Sequence, residues 1–304
     1  MGRRILGTLL CCCFLGVAAF GSGTPWLKSF VHVATAQNVS GHITYIDSAW
    51  TNGQAGALLL VTPNMSPGGR EASPDKHPIG VYYDKGQWTI FNQDFAPMPV
   101  GAAFNVLVLE DGGPGRGTSV VEASEVKVHD DGVMILDGLT DGNASAMVLV
   151  TSNWSVRGLY NNHYTGVRYD YESAHWYVFN EDGAKMELAS PGWNTGVAFN
   201  AALIQSRENS AQWAFVHSAL PGNTSQDKTM TLIDNPLTNN NPCAIIFVTN
   251  NYDARPGNAV RVNAPVAVVY STTEGKWGIE TTDGSTGQLG TSLLWAAFNV
   301  LVSR

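Results

Sequence analysis

The side chains best suited to bind a ligand lie in loops that each follow a Val-Thr pair. Trp154 and Tyr252 stand directly after asparagines in two of these loops. An amide donates and accepts hydrogen bonds, and an aromatic ring can stack on a sugar. The alternative is that the large side chains cover the end of a sheet. The predicted ligand-contacting residues of these loops are Asn64, Asn153, Trp154, Asn251 and Tyr252.

Two histidines are further candidates for ligand binding. His77 and His163 align with each other, whereas the third copy of the segment has Ala264. A histidine that one copy lacks is not required by the fold, and imidazole can accept a hydrogen bond or a proton near neutral pH. No pair of histidines has zinc-ligand spacing, so we expect no metal and no cofactor.

Signatures of known catalytic sites are missing from the chain. There is no nucleophile-elbow serine, no His-Glu-x-x-His and no phosphate-binding Gly-rich loop before a helix. The sequence therefore favours a protein that is not an enzyme. A hydrolase using two carboxylates that one sequence does not reveal remains the third alternative.

The candidate loops recur because the whole chain is repeated. Thr62, Thr151 and Thr249 end equivalent apolar segments and lie 89 and 98 residues apart. A period of this kind indicates repeated structural units. We predict that the recurring aromatic residues form the core of each unit. They are Tyr83, Trp88, Phe104, Tyr169, Trp176, Phe199, Tyr270, Trp277 and Phe298.

The recurring Phe-Asn steps predict a structural role for their amides. Asn105, Asn200 and Asn299 each follow one of the core phenylalanines. An amide in an apolar strand must find hydrogen-bond partners when it is buried. We therefore expect a structural role for these three side chains, in which a buried amide would bond a neighbouring backbone. The alternation of the last strand leaves the burial of Asn105 open.

Short segments rich in Val, Ile, Tyr, Phe and Trp, bounded by Gly, Pro, Asn and Asp, predict an all-β protein. About six strands in each repeat suit a small antiparallel β-sandwich or barrel. The segment 57–61 is apolar without alternation, so both of its faces should be covered. The predicted units are a signal peptide at 1–23 and β repeats at 30–110, 119–206 and 213–304.

The N-terminus predicts export. Arg3 and Arg4 precede an uncharged apolar run from Ile5 to Phe20, and small residues follow, as in a cleaved signal peptide. Without the two arginines, 15 basic and 25 acidic residues remain, a net charge of −10. This balance argues against binding to nucleic acid or, after cleavage, to an anionic membrane. The protein is expected to be secreted, in the extracellular space or at the cell surface.

Several of these segments together resemble a tandemly repeated β-domain of uncharacterised secreted proteins, mostly bacterial. The resemblance rests on segments 77–83, 88–92, 103–108 and 244–249 and covers residues 30–302. It implies an all-β fold and a secreted location, and it implies no activity. Repeat 3 departs from the pattern, with Glu280-Thr281 where the other repeats have Phe-Asn.

The sequence predicts a secreted binding protein that recognises a carbohydrate or another cell-surface ligand through the loops after the Val-Thr strands. The expected partner is a glycan or a surface protein. A structural or adhesive extracellular protein that self-assembles is the alternative, and it would make the chain an oligomer. Short connectors between repeats leave open whether the three units are separate or packed together.

Overall fold

The computed structural model describes residues 28–109, 116–124, 127–188, 196–205, 212–252, 260–283 and 293–303. The predicted signal peptide lies outside these ranges. Within the ranges, no helix has the length and apolar character needed to cross a membrane. The fold is all-β, as the sequence predicted.

Strands occur at equivalent places in the three repeats. Repeat 1 contains β1 (Ser29–Val33), β2 (Val39–Ser40), β3 (Ile43–Tyr45), β4 (Leu58–Pro63), β5 (Ile79–Asp84), β6 (Gln87–Asn92) and β7 (Ala103–Leu109). Repeat 2 contains β8 (Arg116–Glu122), β9 (Val128–His129), β10 (Gly132–Met134), β11 (Met147–Asn153), β12 (Thr165–Asp170), β13 (His175–Asn180) and β14 (Ala198–Ile204). Repeat 3 contains β15 (Ala214–Ser218), β16 (Met230–Leu232), β17 (Ile245–Asn251), β18 (Val266–Ser271), β19 (Lys276–Thr281) and β20 (Ala297–Ser303).

Each repeat is a sandwich of two antiparallel sheets. In repeat 1, the order β1-β7-β4 forms what we call the inner sheet, and β2-β3-β6-β5 forms the outer sheet. The counterparts are β8-β14-β11 and β9-β10-β13-β12 in repeat 2, and β15-β20-β17 and β16-β19-β18 in repeat 3. The two sheets face each other across a core of apolar side chains. Of the two architectures predicted from the sequence, the sandwich is the one observed.

The recurring tryptophans and phenylalanines lie in these cores. Trp88 and Phe104 are almost fully buried, and so are their counterparts in repeats 2 and 3. The indole of Trp88 donates to the backbone oxygen of Gln54 at 2.8 Å, so its burial leaves no polar group unpaired. Tyr83 lies opposite Trp88 in the β5–β6 hairpin, and the two rings are 5.7 Å apart. The same Tyr-Trp contact recurs in the other two hairpins.

The three sandwiches are joined into a ring. The outer strand β5 of repeat 1 pairs in parallel with the inner strand β11 of repeat 2, and β12 pairs in the same way with β17. An isolated parallel bridge from Asn64 to Val268 connects repeat 1 with repeat 3. The repeats are therefore packed together with pseudo-threefold symmetry. Parallel pairing at the junctions was not foreseen in a fold predicted to be antiparallel.

The apolar segment at 57–61 has both faces covered, which confirms that prediction. Leu59 and Val61 on β4 face the core of repeat 1. Leu60, on the opposite face, joins a separate core with Leu149 of repeat 2 and Phe247 of repeat 3. This central core is shared by all three repeats and buries the apolar inner faces against one another.

Candidate functional site

The threonines of the Val-Thr pairs lie where the three inner sheets meet. Each hydroxyl oxygen accepts a backbone N–H from a different repeat, and the three bonds close a cycle. The donors and acceptors are Val61 N to Thr151 Oγ1 (2.9 Å), Val150 N to Thr249 Oγ1 (3.1 Å) and Val248 N to Thr62 Oγ1 (3.2 Å). The Val-Thr pair therefore recurs because it joins one repeat to the next.

The asparagines that follow these strands lie at the same junctions. Asn64, Asn153 and Asn251 are at most 3% exposed. Each donates to a Phe-Asn amide of its own repeat: Asn64 to Asn105 (2.8 Å), Asn153 to Asn200 (2.7 Å) and Asn251 to Asn299 (2.8 Å). Their contacts are within the fold, and their assignment to ligand binding stays a prediction.

The Phe-Asn amides are buried and bond a neighbouring backbone, which is the structural role that the sequence favoured. Each of them donates to a carbonyl of another repeat. The bonds run from Asn105 to Ile246 (2.8 Å), from Asn200 to Leu59 (3.0 Å) and from Asn299 to Val148 (2.8 Å). A second cycle of polar contacts thus surrounds the pseudo-threefold axis.

The large side chains of the loops are half-buried at repeat junctions. The Trp154 ring packs against Tyr82 of repeat 1, with ring centroids 5.5 Å apart. The Tyr252 ring packs against Phe179 of repeat 2 at 5.6 Å. These positions fit the alternative in which the aromatic residues cover the end of a sheet. Their role as ligand contacts stays a prediction.

A cavity of about 120 Å³ lies on the pseudo-threefold axis, at the end of the Val-Thr strands. Thr62, Thr151 and Thr249 contribute to its wall. The remaining wall comes from equivalent segments that lead into β5, β12 and β18. These segments contribute His77, Pro78, His163, Tyr164, Ala264 and Pro265. The structure therefore brings the two predicted histidines to one cavity.

Each cavity histidine is paired with an aspartate that follows the hairpin of its own repeat. His77 Nδ1 lies 2.7 Å from Asp94 Oδ2, and His163 Nδ1 lies 2.7 Å from Asp182 Oδ2. Asp94 Oδ1 also accepts the backbone N–H of Ala96 at 3.0 Å, which fixes the carboxylate in its turn. The histidine side chains remain 31% and 24% exposed. The aspartates thus hold two accessible imidazoles in a set orientation.

The pairing determines what these imidazoles can do. A carboxylate only accepts hydrogen bonds, so Nδ1 carries a proton and Nε2 of the neutral ring is an acceptor. The arrangement is suited to hydrogen bonding with a polar ligand.

Tyr164 completes the polar part of the cavity wall. Its hydroxyl donates to the backbone oxygen of Lys76 at 2.9 Å and so links repeat 2 to repeat 1. Burial, followed by the negative charges of Asp283, Asp94 and Asp75, raises the pKa of Tyr164. The phenol therefore stays neutral. Because its one proton is donated to Lys76, its oxygen can offer a ligand only a hydrogen-bond acceptor.

The sequence did not single out Tyr164, and it did not pair Asp94 or Asp182 with a histidine. The sequence did contain a signal for the His-Asp pairs, because His77 and Asp94 of repeat 1 recur together as His163 and Asp182 in repeat 2. In the part of the chain that the structure describes, no group of three or more His, Cys, Asp or Glu side chains is placed to hold a metal.

Three consecutive segments of the chain match one protein family. A family model described as "Domain of unknown function (DUF7452)" matches residues 23–108, 112–201 and 192–302. The three matches correspond to the three repeats and together cover most of the chain. No curated protein and no solved structure matches.

Proposed function

The chain belongs to the DUF7452 family of uncharacterised domains, and from this premise we propose that it is a secreted, non-enzymatic protein that binds a ligand in its axial cavity. The ligand is a hydroxyl-rich group, such as the terminal sugar of a glycan on a cell surface. The proposed site lies at the ends of the Val-Thr strands, where the sequence predicted ligand binding. The proposed ligand contacts are His77, His163 and Tyr164, and the loop asparagines are no longer among them.

The observation that carries the proposal is the pair of oriented histidines in one cavity. The fold does not need them, because repeat 3 has Ala264 at the same position and adopts the same sandwich. Two Asp-bonded imidazoles present Nε2 acceptors, which suit the hydroxyl groups of a sugar. Because all three repeats line this cavity, the proposed site is shared by them and is not repeated in each one.

The size of the cavity restricts the ligand. Its volume of about 120 Å³ corresponds to roughly four water molecules at about 30 Å³ each. A terminal sugar could insert part of its ring while the remainder of a glycan stays outside. This geometry favours recognition of a chain end over recognition of an internal segment.

Export is part of the proposal. It is supported by the basic start and the uncharged run of residues 5–20. A surface glycan is a ligand that only an exported protein would meet. Detection of the mature chain in culture medium, with the N-terminus determined by mass spectrometry, tests this part separately.

A glycan array tests the ligand class. We expect the mature chain to bind a set of glycans with a common terminal sugar, and the double substitution His77→Ala/His163→Ala to reduce binding at least tenfold. The matched control is His175→Ala. His175 is also near an aspartate, Asp141 at 3.8 Å, but lies at the far end of the β12–β13 hairpin.

Circular dichroism establishes that each variant is folded before binding is compared. Binding that is equal in the double variant and in the wild-type chain would exclude the axial cavity as the site. A folded wild-type chain that binds no glycan would contradict the carbohydrate proposal.

A second candidate function is self-assembly into an extracellular structure. Strands β1 and β8 stand at the ends of their sheets. Val31, Val33 and Val120 on these strands are between 36% and 40% exposed. Apolar edge strands are templates for pairing with another chain. Light scattering on the array sample distinguishes the two functions, because assembly without glycan binding would favour this one.

A further inference from the structure

The axial cavity has three equivalent walls, but the wall from repeat 3 differs in chemistry from the other two. His77 and His163 stand on the walls from repeats 1 and 2, whereas Ala264 stands on the third. Asn250 also lines the cavity, at a position where repeats 1 and 2 have a proline and a serine. These differences restrict the chemical group of a ligand that can contact repeat 3.

The Asn250 side chain offers a buried hydrogen-bond acceptor to the cavity. The residue is 6% exposed, and its Oδ1 has no hydrogen-bond partner among the described residues. Glu181 orients the amide, because its Oε1 accepts a hydrogen bond from Asn250 Nδ2. A buried amide oxygen without a donor is costly. We therefore expect Asn250 Oδ1 to accept a hydrogen bond from a group that enters the cavity.

The threonines at the ends of the Val-Thr strands offer hydrogen-bond donors. Thr62, Thr151 and Thr249 are 2%, 5% and 5% exposed, and each Oγ1 accepts one backbone N–H. The hydroxyl proton is still available, since none of these hydroxyls donates a hydrogen bond within the described part of the chain. Their cycle surrounds the axis on which the cavity lies, so three hydroxyl donors surround one end of the cavity.

The rest of the wall from repeat 3 is apolar. Val262 and Ala264 line the cavity and are 3% and 2% exposed, and Pro265 lies beside them. An alanine methyl forms no hydrogen bond, and a polar ligand group against it would lose its own hydrogen bonds to water. The part of a ligand that contacts Ala264 is therefore apolar.

An acetamido group complements all three features. Its carbonyl oxygen accepts hydrogen bonds, its N–H donates one and its methyl group is apolar. The cavity of about 120 Å³ corresponds to roughly four water molecules, and an acetamido group has the same number of non-hydrogen atoms. The group therefore fits the cavity in size as well as in chemistry.

Charged groups fit the cavity less well. An anionic group cannot donate to Asn250 Oδ1, and it would lie close to the carboxylates of Asp94 and Asp182, which hold the two histidines. An ammonium group has no lone pair with which to accept from the threonine hydroxyls. The cavity thus selects a neutral group that both donates and accepts.

We propose that the axial cavity recognises the acetamido group of a terminal amino sugar, such as N-acetylglucosamine. This inference rests on the proposed function, because it names the sugar class that the same cavity accepts. The carbonyl oxygen accepts from the threonine hydroxyls, the N–H donates to Asn250 Oδ1, and the methyl group contacts Ala264. Hydroxyl groups of the sugar ring donate to His77 and His163, whose side chains are 31% and 24% exposed.

Paired sugars test the proposal on the mature chain. The probes are the methyl glycosides of N-acetylglucosamine and N-acetylgalactosamine, each with its counterpart that has a hydroxyl in place of the acetamido group. We expect the glycans bound on the array to end in an acetamido sugar. In titrations followed by NMR, the acetamido member of at least one pair should bind at least tenfold more tightly than its counterpart.

The possible failures are distinguishable. Equal affinity within both pairs, with binding lost in His77→Ala/His163→Ala, would overturn the acetamido proposal and leave the axial cavity as a sugar site. Bound glycans that end in sugars without an acetamido group would do the same. A folded chain that binds no probe and no glycan would overturn this inference together with the proposed function.

Two substitutions test the contacts, and each introduces a residue that an equivalent repeat already has. Asn250→Ser, which copies repeat 2, should weaken binding of the acetamido probe about tenfold and leave its counterpart unchanged. A purely structural effect would weaken both probes. Ala264→His, which copies repeats 1 and 2, should fill the space of the methyl group and abolish the preference within a pair. An unchanged preference in both folded variants would contradict the assignment.

Discussion

His32 and Thr44 occupy two neighbouring core positions that accept either a polar or an apolar pair of side chains. His32 Nε2 lies 2.8 Å from Thr44 Oγ1, and His217 forms the same bond in repeat 3. Repeat 2 has Val121 and Val133 at the two positions. Burial lowers the pKa of His32 to about 4. The histidine is therefore a neutral part of the core, and acid should destabilise the repeat that contains it.

We predict that His32→Val/Thr44→Val makes the chain less sensitive to acid. Because the folded pKa of His32 is below 6.5, its stabilising contribution is complete above pH 6.5 and declines as the pH falls to about 4. Removing the group should eliminate a loss on the order of 2 kcal/mol in that interval. The measurement is the urea midpoint at pH 7 and at pH 4.5 for both proteins.

The single substitution His32→Val is the control for packing. It removes one partner of a buried hydrogen bond and should cost about 1 kcal/mol at pH 7. The double variant should be closer to the wild-type chain, since repeat 2 shows that two valines fit together. Equal acid sensitivity in the double variant and the wild-type chain would assign the sensitivity to other groups.

At the scale of elements, the strands β4, β11 and β17 define the ring. Each strand has one face in its own sandwich and the other in the central core. At its end, a threonine accepts a backbone N–H from another repeat. Apolar packing thus holds the strands together, and the polar cycle sets their mutual register.

We predict that Thr151→Val destabilises the chain by about 1–3 kcal/mol, because the N–H of Val61 would be buried without an acceptor. Thr151→Ser is the matched control, since it keeps the hydroxyl oxygen and should cost less. Urea unfolding of both variants measures the difference. Equal stability of the two variants would show that the hydroxyl is not needed at the junction.

The sequence predicts what is local in these strands. The apolar segment at 57–61 indicated that both faces are covered, and the recurrence of Tyr83 and Trp88 indicated that they lie in the core of repeat 1. The identity of the second covering layer does not follow, because Leu60 contacts side chains that are far away in sequence. Nothing in one repeat encodes the angle at which it meets the next.

The candidate site was predictable only in part for the same reason. Alignment of the repeats singled out His77 and His163, but their meeting in one cavity depends on the ring. Asn153 resembled a loop residue free to bind a ligand. The parallel pairing of Asn153 with Val81 instead places it at a junction. Pairing between repeats determined which residues are buried.

At the scale of the whole molecule, the ring brings the two ends of the described chain together. Ser29 Oγ donates to Ser303 Oγ at 2.8 Å. These residues lie on β1 of repeat 1 and β20 of repeat 3. Repeat 3 is therefore joined to repeat 1 by non-covalent contacts. The other two junctions have such contacts and also a covalent connection through the chain.

We predict that a circular permutant keeps the fold. It would join residue 303 to residue 28 through a short Gly/Ser linker and begin between Leu109 and Arg116, in the connection between repeats 1 and 2. Because the joined ends are already adjacent and the cut lies between the last strand of repeat 1 and the first strand of repeat 2, the sheets and the polar cycles should be retained. Thermal unfolding should show one cooperative transition within a few degrees of that of the linear chain.

The same permutant with Thr151→Val provides the control, since it breaks the polar cycle at the junction of repeats 1 and 2. It should lose about the same unfolding free energy as the linear chain does with that substitution. The alternative is that repeats 1 and 2 stay together only because the chain connects them covalently. In that case the permutant will unfold in separate steps. The effect of Thr151→Val will then disappear, because the junction that it weakens will no longer be formed.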